Sequence, residues 1–208
     1  RGETESIDSQ KIAELMRYVG MDKVTLNEGV ISKPLATRLD FNAIAKGYAV
    51  DVISEFLESQ GIKNYIVEIG GEIRSLGQNS VKNLKWTVGV QNPNLEGNKA
   101  YANTLSLENQ SMATSGTYRK FKIDSEGNRF THIFNTRTGY PSRSNILSVS
   151  VIANKCMIAD AYATAFQAMG VEAVSLFLQK YPELKVFIVY VSEDNKLEKV
   201  VFNGFPLN

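Results

Sequence analysis

The chain has 208 residues, 43% of them hydrophobic, and a formal net charge of +1 from 23 basic and 22 acidic residues. This length and composition suit one domain, or two small and intimately packed ones, with ample core, and we predict a single domain over residues 1–208. The near-neutral charge argues against nucleic acid as a partner. The single cysteine, Cys156, excludes an internal disulfide framework and a cysteine-cage zinc site, and no apolar run is long enough to span a bilayer.

The first third of the chain predicts two helices separated by a hairpin. SQKIAELMRYVG, with Ile12, Leu15, Met16 and Val19 at helical spacing, predicts a helix capped by Ser9. KVTLNEGVISK predicts a hairpin around residues 27–29. A second helix is expected from Ala45 onward, with Asn42 as its N-cap and Gly61 as the residue that ends it. Its spacing places six apolar residues on one face: Tyr48, Ala49, Val52, Ile53, Phe56 and Leu57.

Strands predominate further along the chain. NYIVEIGGEIRSLG predicts two strands interrupted at Gly70 and Gly71, most simply by a bulge, and WTVGVQNP and NTLSLEN predict two more. YRKFKIDSEGNRFTHIFN predicts a hairpin that turns at residues 125–128, and ILSVSVIA predicts a half-buried strand. Two more helices are predicted, CMIADAYATAFQAMG, which Gly170 closes, and VEAVSLFLQKYP. A last hairpin, KVFIVYVSEDNKLEKVVF, completes an irregular α+β order with largely antiparallel pairing.

A strand-to-helix junction, TRLDFNAIAKG, is the first candidate for chemistry. If Asn42 caps the helix, the amide groups of its first turn point towards the end of the preceding strand, and Lys46 adds a positive charge. Such a helix N-terminus attracts phosphate. The alternative is a capped helix that binds nothing, which is common.

The helix segment ADAYATA is the second candidate. Asp160 and Thr164 are four residues apart, so both side chains project from one helix face, and small alanines surround them. A carboxylate and a hydroxyl are ligands that suit Mg²⁺. A local hydrogen bond between Asp160 and Thr164 is the competing interpretation.

Two further segments carry polar groups near turns. His132, the only histidine, lies near a strand end in THIFNTRTGYP, where it could act as a general base or be a hydrogen-bonded structural residue. In ATSGTYRKF, residues 115–117 resemble a turn before a strand, so Ser115, Thr117 and Tyr118 could line a pocket.

Taken together and in order, six of these segments resemble the ApbE family of FAD-dependent FMN transferases. They are LDFNAIAKGYAVD, YIVEIGGEIRSLG, WTVGVQNP, MATSGTYRKF, THIFNTRTGYP and SVSVIANKCMIADAYATAF, and they extend from about Val19 over nearly the whole chain. The resemblance implies an α+β, ApbE-like (T-fold-like) domain with a mostly antiparallel sheet and packed helices.

The resemblance also implies roles for individual residues. It makes His132 the catalytic base. It implies FAD contacts at Asp40, Lys46, Ile133, Phe134 and Ala163, and the pocket candidates Ser115, Thr117 and Tyr118 are also expected to bind FAD. It implies Mg²⁺ ligands at the Ala43 carbonyl, Asp160 and Thr164.

The activity that the resemblance implies is Mg²⁺-dependent transfer of FMN from FAD to a Thr or Ser hydroxyl of an acceptor flavoprotein, with release of AMP. Two alternatives remain: a Mg²⁺-dependent FAD pyrophosphatase that yields FMN and AMP, and a non-enzymatic FAD-binding module. The residues do not distinguish transfer from hydrolysis, because only the attacking oxygen differs.

The chain departs from the family pattern at two places. Asn135 and Thr136 stand where the family usually has Asp-Pro; asparagine keeps the ability to form a turn but loses a charge. Family members usually carry a long segment ahead of the point where this chain begins, at Arg1. We expect that segment to complete the flavin pocket and, in the full-length form, to direct export as a periplasmic or membrane-anchored lipoprotein.

Overall fold

The computed structural model describes residues 8–91, 101–116, 121–123, 129–131, 133–142 and 144–207. These ranges contain four α-helices: α1 Ser9–Met16, α2 Ala45–Ser59, α3 Cys156–Met169 and α4 Val171–Leu178. They also contain fourteen strands: β1 Thr25–Asn27, β2 Val30–Ser32, β3 Tyr65–Ile69, β4 Glu72–Leu76, β5 Gln78–Asn79, β6 Leu84–Lys85, β7 Thr87–Gln91, β8 Tyr101–Ser106, β9 Ser111–Gly116, β10 Phe121–Ile123, β11 Arg129–Thr131, β12 Ile146–Ala153, β13 Lys185–Val191 and β14 Leu197–Phe202. None of the helices in the described ranges has both the length and the apolar character needed to cross a bilayer.

A six-stranded sheet organises the fold. Its strand order is β14-β13-β12-β9-β4-β3, and every neighbouring pair is antiparallel. This confirms the predicted α+β class with antiparallel pairing. The strand predicted to be half-buried, β12, is buried at seven of its eight positions. Its edges pair with β9 and β13, and a hydrophobic core covers each of its two faces.

Each face of the sheet has its own hydrophobic core, because side chains alternate between the faces along each strand. On one face, Val186 and Ile188 of β13 pack in a core that includes residues of α3 and α4. On the other face, Phe187 and Val189 pack against the β7–β8 hairpin and Phe205 near the C-terminus. The helices that carry the candidate site therefore lie against one face only.

Helix α2 packs against α3 through an unexpected face. The buried residues of α2 are Gly47, Val50, Asp51 and Ser54. The predicted apolar face is largely exposed: Tyr48 is 57% and Phe56 62% exposed. Small and polar residues, rather than the apolar row, therefore mediate the contact between the two helices.

Two local predictions are corrected and one is confirmed. Helix α1 is capped by Asp8, whose carboxylate accepts a hydrogen bond from the amide of Gln10, and not by Ser9. Gly70 and Gly71 form a tight turn between β3 and β4, with φ of 61° and 101°, rather than a bulge. The β1–β2 hairpin turns as predicted at residues 28–29.

Candidate functional site

The junction before α2 is a chain of short turns. The Asp40 carboxylate accepts hydrogen bonds from the backbone amide of Asn42 at 2.7 Å and from its side-chain nitrogen at 3.2 Å. Asn42 is therefore not the N-cap; that position is Ile44, which makes no capping hydrogen bond with its side chain. Asp40 is exposed and shapes the turn, and its predicted FAD contact stays a prediction.

The backbone amide groups at the start of α2 need hydrogen-bond acceptors, and one of them donates to a residue of a different helix. The amide of Tyr48 donates to the carbonyl of Ile44 at 2.9 Å, which is the ordinary helical bond. The amide of Gly47 donates instead to Oδ2 of Asp160 on α3, also at 2.9 Å. Among the described residues, the Ala43 carbonyl thus does not receive the helical bond that Gly47 would otherwise give it, and it is available to a ligand.

Gly47 has no substitute at this position, because α3 lies too close. A Cβ on residue 47 would lie 2.5 Å from the carbonyl oxygen of Cys156 and 2.8 Å from the Cβ of Asp160. The missing side chain allows the backbones of α2 and α3 to approach. This approach places the Asp160 carboxylate beside the first turn of α2.

The two predicted side-chain metal ligands make contacts with different elements. Asp160 is 4% exposed and bonds to Gly47, whereas the hydroxyl of Thr164 lies 3.3 Å from that of Ser115. Among the described residues, Asp160 and Thr164 form no hydrogen bond with each other, so the competing interpretation of a local pair is wrong. Ser115 lies within β9 rather than in the predicted turn.

Lys46 pairs with a carboxylate that the sequence analysis did not single out. Its Nζ lies 2.6 Å from Oε2 of Glu72, which is 2% exposed at the start of β4. The β3–β4 turn lies over this pair, because a Cβ on Gly70 would be 3.5 Å from Cδ of Lys46. The site thus contains two buried carboxylates, Glu72 and Asp160, around one lysine.

Burial governs the electrostatics of these acids. It raises the pKa of Asp160, against the opposing effects of the Gly47 amide and of Lys46. It also raises the pKa of Glu72, which Lys46 lowers and Asp160 raises further. A buried carboxylate is costly unless it is compensated. Lys46 is paired with Glu72, so a cation beside Asp160 would compensate the second carboxylate.

The remaining sequence-predicted residues fall into two groups. His132, Thr117 and Tyr118 lie outside the described residues. Ile133 and Phe134 begin a turn segment in which the Asn135 side chain accepts a hydrogen bond from the Arg137 amide at 2.9 Å, which confirms that Asn135 forms a turn.

The turn segment is fastened to the far end of α3, because the hydroxyl of Ser142 donates to the carbonyl of Ala168 at 2.8 Å. Ala163 is fully buried in the core on the helix side of the sheet. The structure therefore gives Ala163 a packing role, and the flavin contacts of Ala163, Ile133 and Phe134 stay predictions.

The sequence does carry a signal for the residues that were missed. Gly47, Asp51, Ser54 and Glu58 recur at helical spacing and form a small and polar stripe along α2. Such a stripe within an otherwise apolar helix indicates close helix packing around polar groups. Glu72 has no comparable signal, because its partner Lys46 is 26 residues away.

The donor set fits a magnesium ion. Asp160 offers a carboxylate, Thr164 a hydroxyl and Ala43 a carbonyl, and all three are hard oxygen ligands of the kind that Mg²⁺ binds. The Gly47 amide occupies Oδ2 of Asp160, and no hydrogen bond from a described residue reaches Oδ1. The described residues contain no group of three or more His, Cys, Asp or Glu that could hold a metal, so water or a substrate phosphate would complete the coordination.

Fold and site together define an α+β protein with an acidic, oxygen-rich candidate ligand site between two helices. The profile of the ApbE family matches residues 1–188. The chain is 34% identical to the FAD:protein FMN transferase of Haemophilus influenzae over 195 residues, which are 91% of this chain and 56% of that protein. It is 33% identical to the FAD:protein FMN transferase of Vibrio cholerae over 84% of this chain and 52% of that protein.

Solved structures of ApbE proteins have a similar fold. The flavin transferase ApbE from Vibrio cholerae superposes with a TM-score of 0.85 at 28% identity, over 99% of this chain and 63% of that one. The flavinyl transferase ApbE of Pseudomonas stutzeri, in its apo form, gives 0.85 at 26% identity, over 99% and 62%. The chain belongs to the ApbE family. It spans about half the length of the curated relatives it matches.

Proposed function

We propose that this chain carries the site for transfer of FMN from FAD to a Thr or Ser hydroxyl of an acceptor flavoprotein, with Mg²⁺ as cofactor and AMP as the second product. The observation that carries the proposal is the Gly47–Asp160 contact, which assembles the Ala43 carbonyl, Asp160 and Lys46 at one helix junction. The names of the relatives, FAD:protein FMN transferase, support the reaction.

The proposed reaction is a phosphoryl transfer in which the residues position the reacting groups and neutralise the charge of the diphosphate. The acceptor hydroxyl attacks the FMN-side phosphorus of FAD, the bond from that phosphorus to the bridging oxygen breaks, and AMP leaves. His132 takes the proton from the attacking hydroxyl. Lys46 places a positive charge beside the diphosphate. Bound Mg²⁺ would supply charge neutralisation at the diphosphate and the leaving group.

Most of the rate enhancement in such a reaction comes from positioning and electrostatics. General-base assistance by a histidine typically adds a factor of ~10²–10⁴. Glu72 holds Lys46 by its 2.6 Å ion pair, so the ammonium group is oriented before the substrate arrives. The buried Asp160 contributes a charge that is available to a cation rather than to bulk water.

The test incubates the chain with FAD, Mg²⁺ and an acceptor flavoprotein that retains its target Thr or Ser. We expect flavin fluorescence on the acceptor after denaturing electrophoresis and one AMP released for each label. AMP without labelling would identify an FAD pyrophosphatase. FAD binding with neither product would identify a binding module. The control is the same acceptor with its target residue changed to Ala.

A further inference from the structure

The N-termini of α2 and α3 are capped by each other. Among the described residues, neither helix has a capping hydrogen bond from the side chain of its own N-cap residue, Ile44 for α2 and Lys155 for α3. Asp160 of α3 accepts the Gly47 amide in the first turn of α2. A carboxylate on α2 in turn accepts hydrogen bonds from the backbone amides at the start of α3.

That carboxylate is Asp51, which is 4% exposed. Its Oδ1 accepts the amide of Cys156 at 3.0 Å, and its Oδ2 accepts the amide of Met157 at 2.9 Å. These are the first two residues of α3. Two of the four amide groups that a helix leaves unsatisfied at its start are thus bonded to one anion, which also complements the positive end of the helix dipole.

Asp51 is also bonded to a residue of the sheet. Nη1 of Arg74, on β4, donates to Oδ1 of Asp51 at 2.9 Å, and Nη2 donates to Oε1 of Glu58 at 2.9 Å. Glu58 also accepts a hydrogen bond from the hydroxyl of Tyr65. The orientation of the Asp51 carboxylate is therefore fixed by α2, α3 and β4 together.

The spacing connects this cap to the candidate metal site. Gly47 and Asp51 are one turn apart on α2, and their partners Asp160 and Cys156 are one turn apart on α3. A loss of the Asp51 cap would let the start of α3 shift along or away from α2. That shift would move Asp160 relative to the Ala43 carbonyl, which does not depend on Asp51 directly.

We propose that Asp51 is a positioning residue for the metal site: by capping α3 from α2, it fixes the distance and register between Asp160 and the Ala43 carbonyl. The proposal rests on the proposed function only for the identity of the cation. Residues that orient metal ligands from behind typically change metal affinity by ~10–100-fold when they are mutated. Asp51 would act by fixing the position of α3, and not by a direct bond to a metal ligand.

The experiment measures Mn²⁺ binding by electron paramagnetic resonance, with and without FAD, in the unmodified chain and in Asp51→Asn. We expect Mn²⁺ affinity to fall by about 10-fold or more in Asp51→Asn. The control is Phe187→Leu, which perturbs the core on the opposite face of the sheet. It should lower the melting temperature and leave Mn²⁺ affinity within about twofold of the unmodified chain.

A second variant guards against misfolding. Asp51→Asn leaves the Arg74 guanidinium without its buried charge partner, so the double variant Asp51→Asn with Arg74→Gln restores neutrality. We expect the double variant to show the same reduced Mn²⁺ affinity as the single one. Mn²⁺ affinity unchanged from the unmodified chain in either folded variant overturns the proposal, as does an unmodified chain that binds no Mn²⁺. If the unmodified chain binds Mn²⁺ and FAD but labels no acceptor, the proposed function fails while the role of Asp51 stands.

Discussion

Replacing Gly47 with alanine sets two effects of opposite sign against each other. In a helix interior, alanine is favoured over glycine by ~0.8–1.0 kcal/mol. The new Cβ, however, would lie 2.5 Å from the carbonyl oxygen of Cys156, whereas real Cβ contacts are essentially never under 3.0 Å. The obstructing atoms belong to the backbone of α3, so the helices must separate by about 0.5 Å or more.

That separation has two costs. Overpacking of a close interface typically costs ~1–3 kcal/mol. The Gly47 amide also moves away from Asp160, and a hydrogen bond to a charged group contributes ~1.5–3 kcal/mol. We therefore expect Gly47→Ala to lower the free energy of unfolding by about 1.5–5 kcal/mol, net of the gain in helix propensity.

Urea unfolding followed by circular dichroism measures this change. Ala45→Gly, at an exposed position of the same helix, is the control and should cost no more than ~1 kcal/mol. The same samples should show weaker Mn²⁺ binding for Gly47→Ala, because the contact that places Asp160 is lost. A Gly47→Ala chain as stable as the unmodified one, or more stable, would refute the close-approach reasoning.

Three further outcomes are expected. Asp160→Asn should weaken Mg²⁺ binding by at least ~10-fold, with partial rescue of activity at high Mg²⁺. In the unmodified chain, Mg²⁺ and FAD should raise each other's affinity by the same factor. An identical Mg²⁺ response of FAD affinity in the variant and the unmodified chain would exclude Asp160 as a ligand. Burial raises the pKa of Glu72 above its ordinary 4.5, so the folded state keeps a proton that the unfolded state releases, and the contribution of Glu72 to stability falls as pH rises above 4.5. In EDTA, Glu72→Gln should therefore gain stability relative to the unmodified chain as pH rises above 4.5, and a difference that stays constant with pH would contradict this. His132→Ala should abolish FMN transfer while largely sparing FAD binding measured by flavin fluorescence; normal transfer at neutral pH would remove His132 from the mechanism.

Local patterns predicted the elements more successfully than they predicted which faces are buried. The β10–β11 and β13–β14 hairpins and helix α3 lie where alternation and helical spacing placed them. These features depend on residues that are close in sequence. The buried face of α2 was not predicted, because it depends on packing against α3, and the Asp160 of α3 is 113 residues from Gly47 in the sequence.

The candidate site shows the same division. The i, i+4 spacing alone brought Asp160 and Thr164 to attention, and the structure places both beside other site elements. Glu72 was missed, since an acid after two glycines predicts a turn as readily as a buried ion pair. Its importance depends on a lysine from another element, and the pairing exists only after the sheet and α2 have packed together.

We propose that FMN transfer by this chain requires a cation held at the α2–α3 junction. Intact-mass spectrometry of the acceptor flavoprotein, after incubation with the chain and FAD in either Mg²⁺ or EDTA, tests it most directly. We predict that the acceptor gains the mass of one phosphodiester-linked FMN in Mg²⁺ and none in EDTA, and that Asp160→Asn gains it only at high Mg²⁺. Equal labelling in EDTA and Mg²⁺, or an unlabelled acceptor in both, would contradict the account.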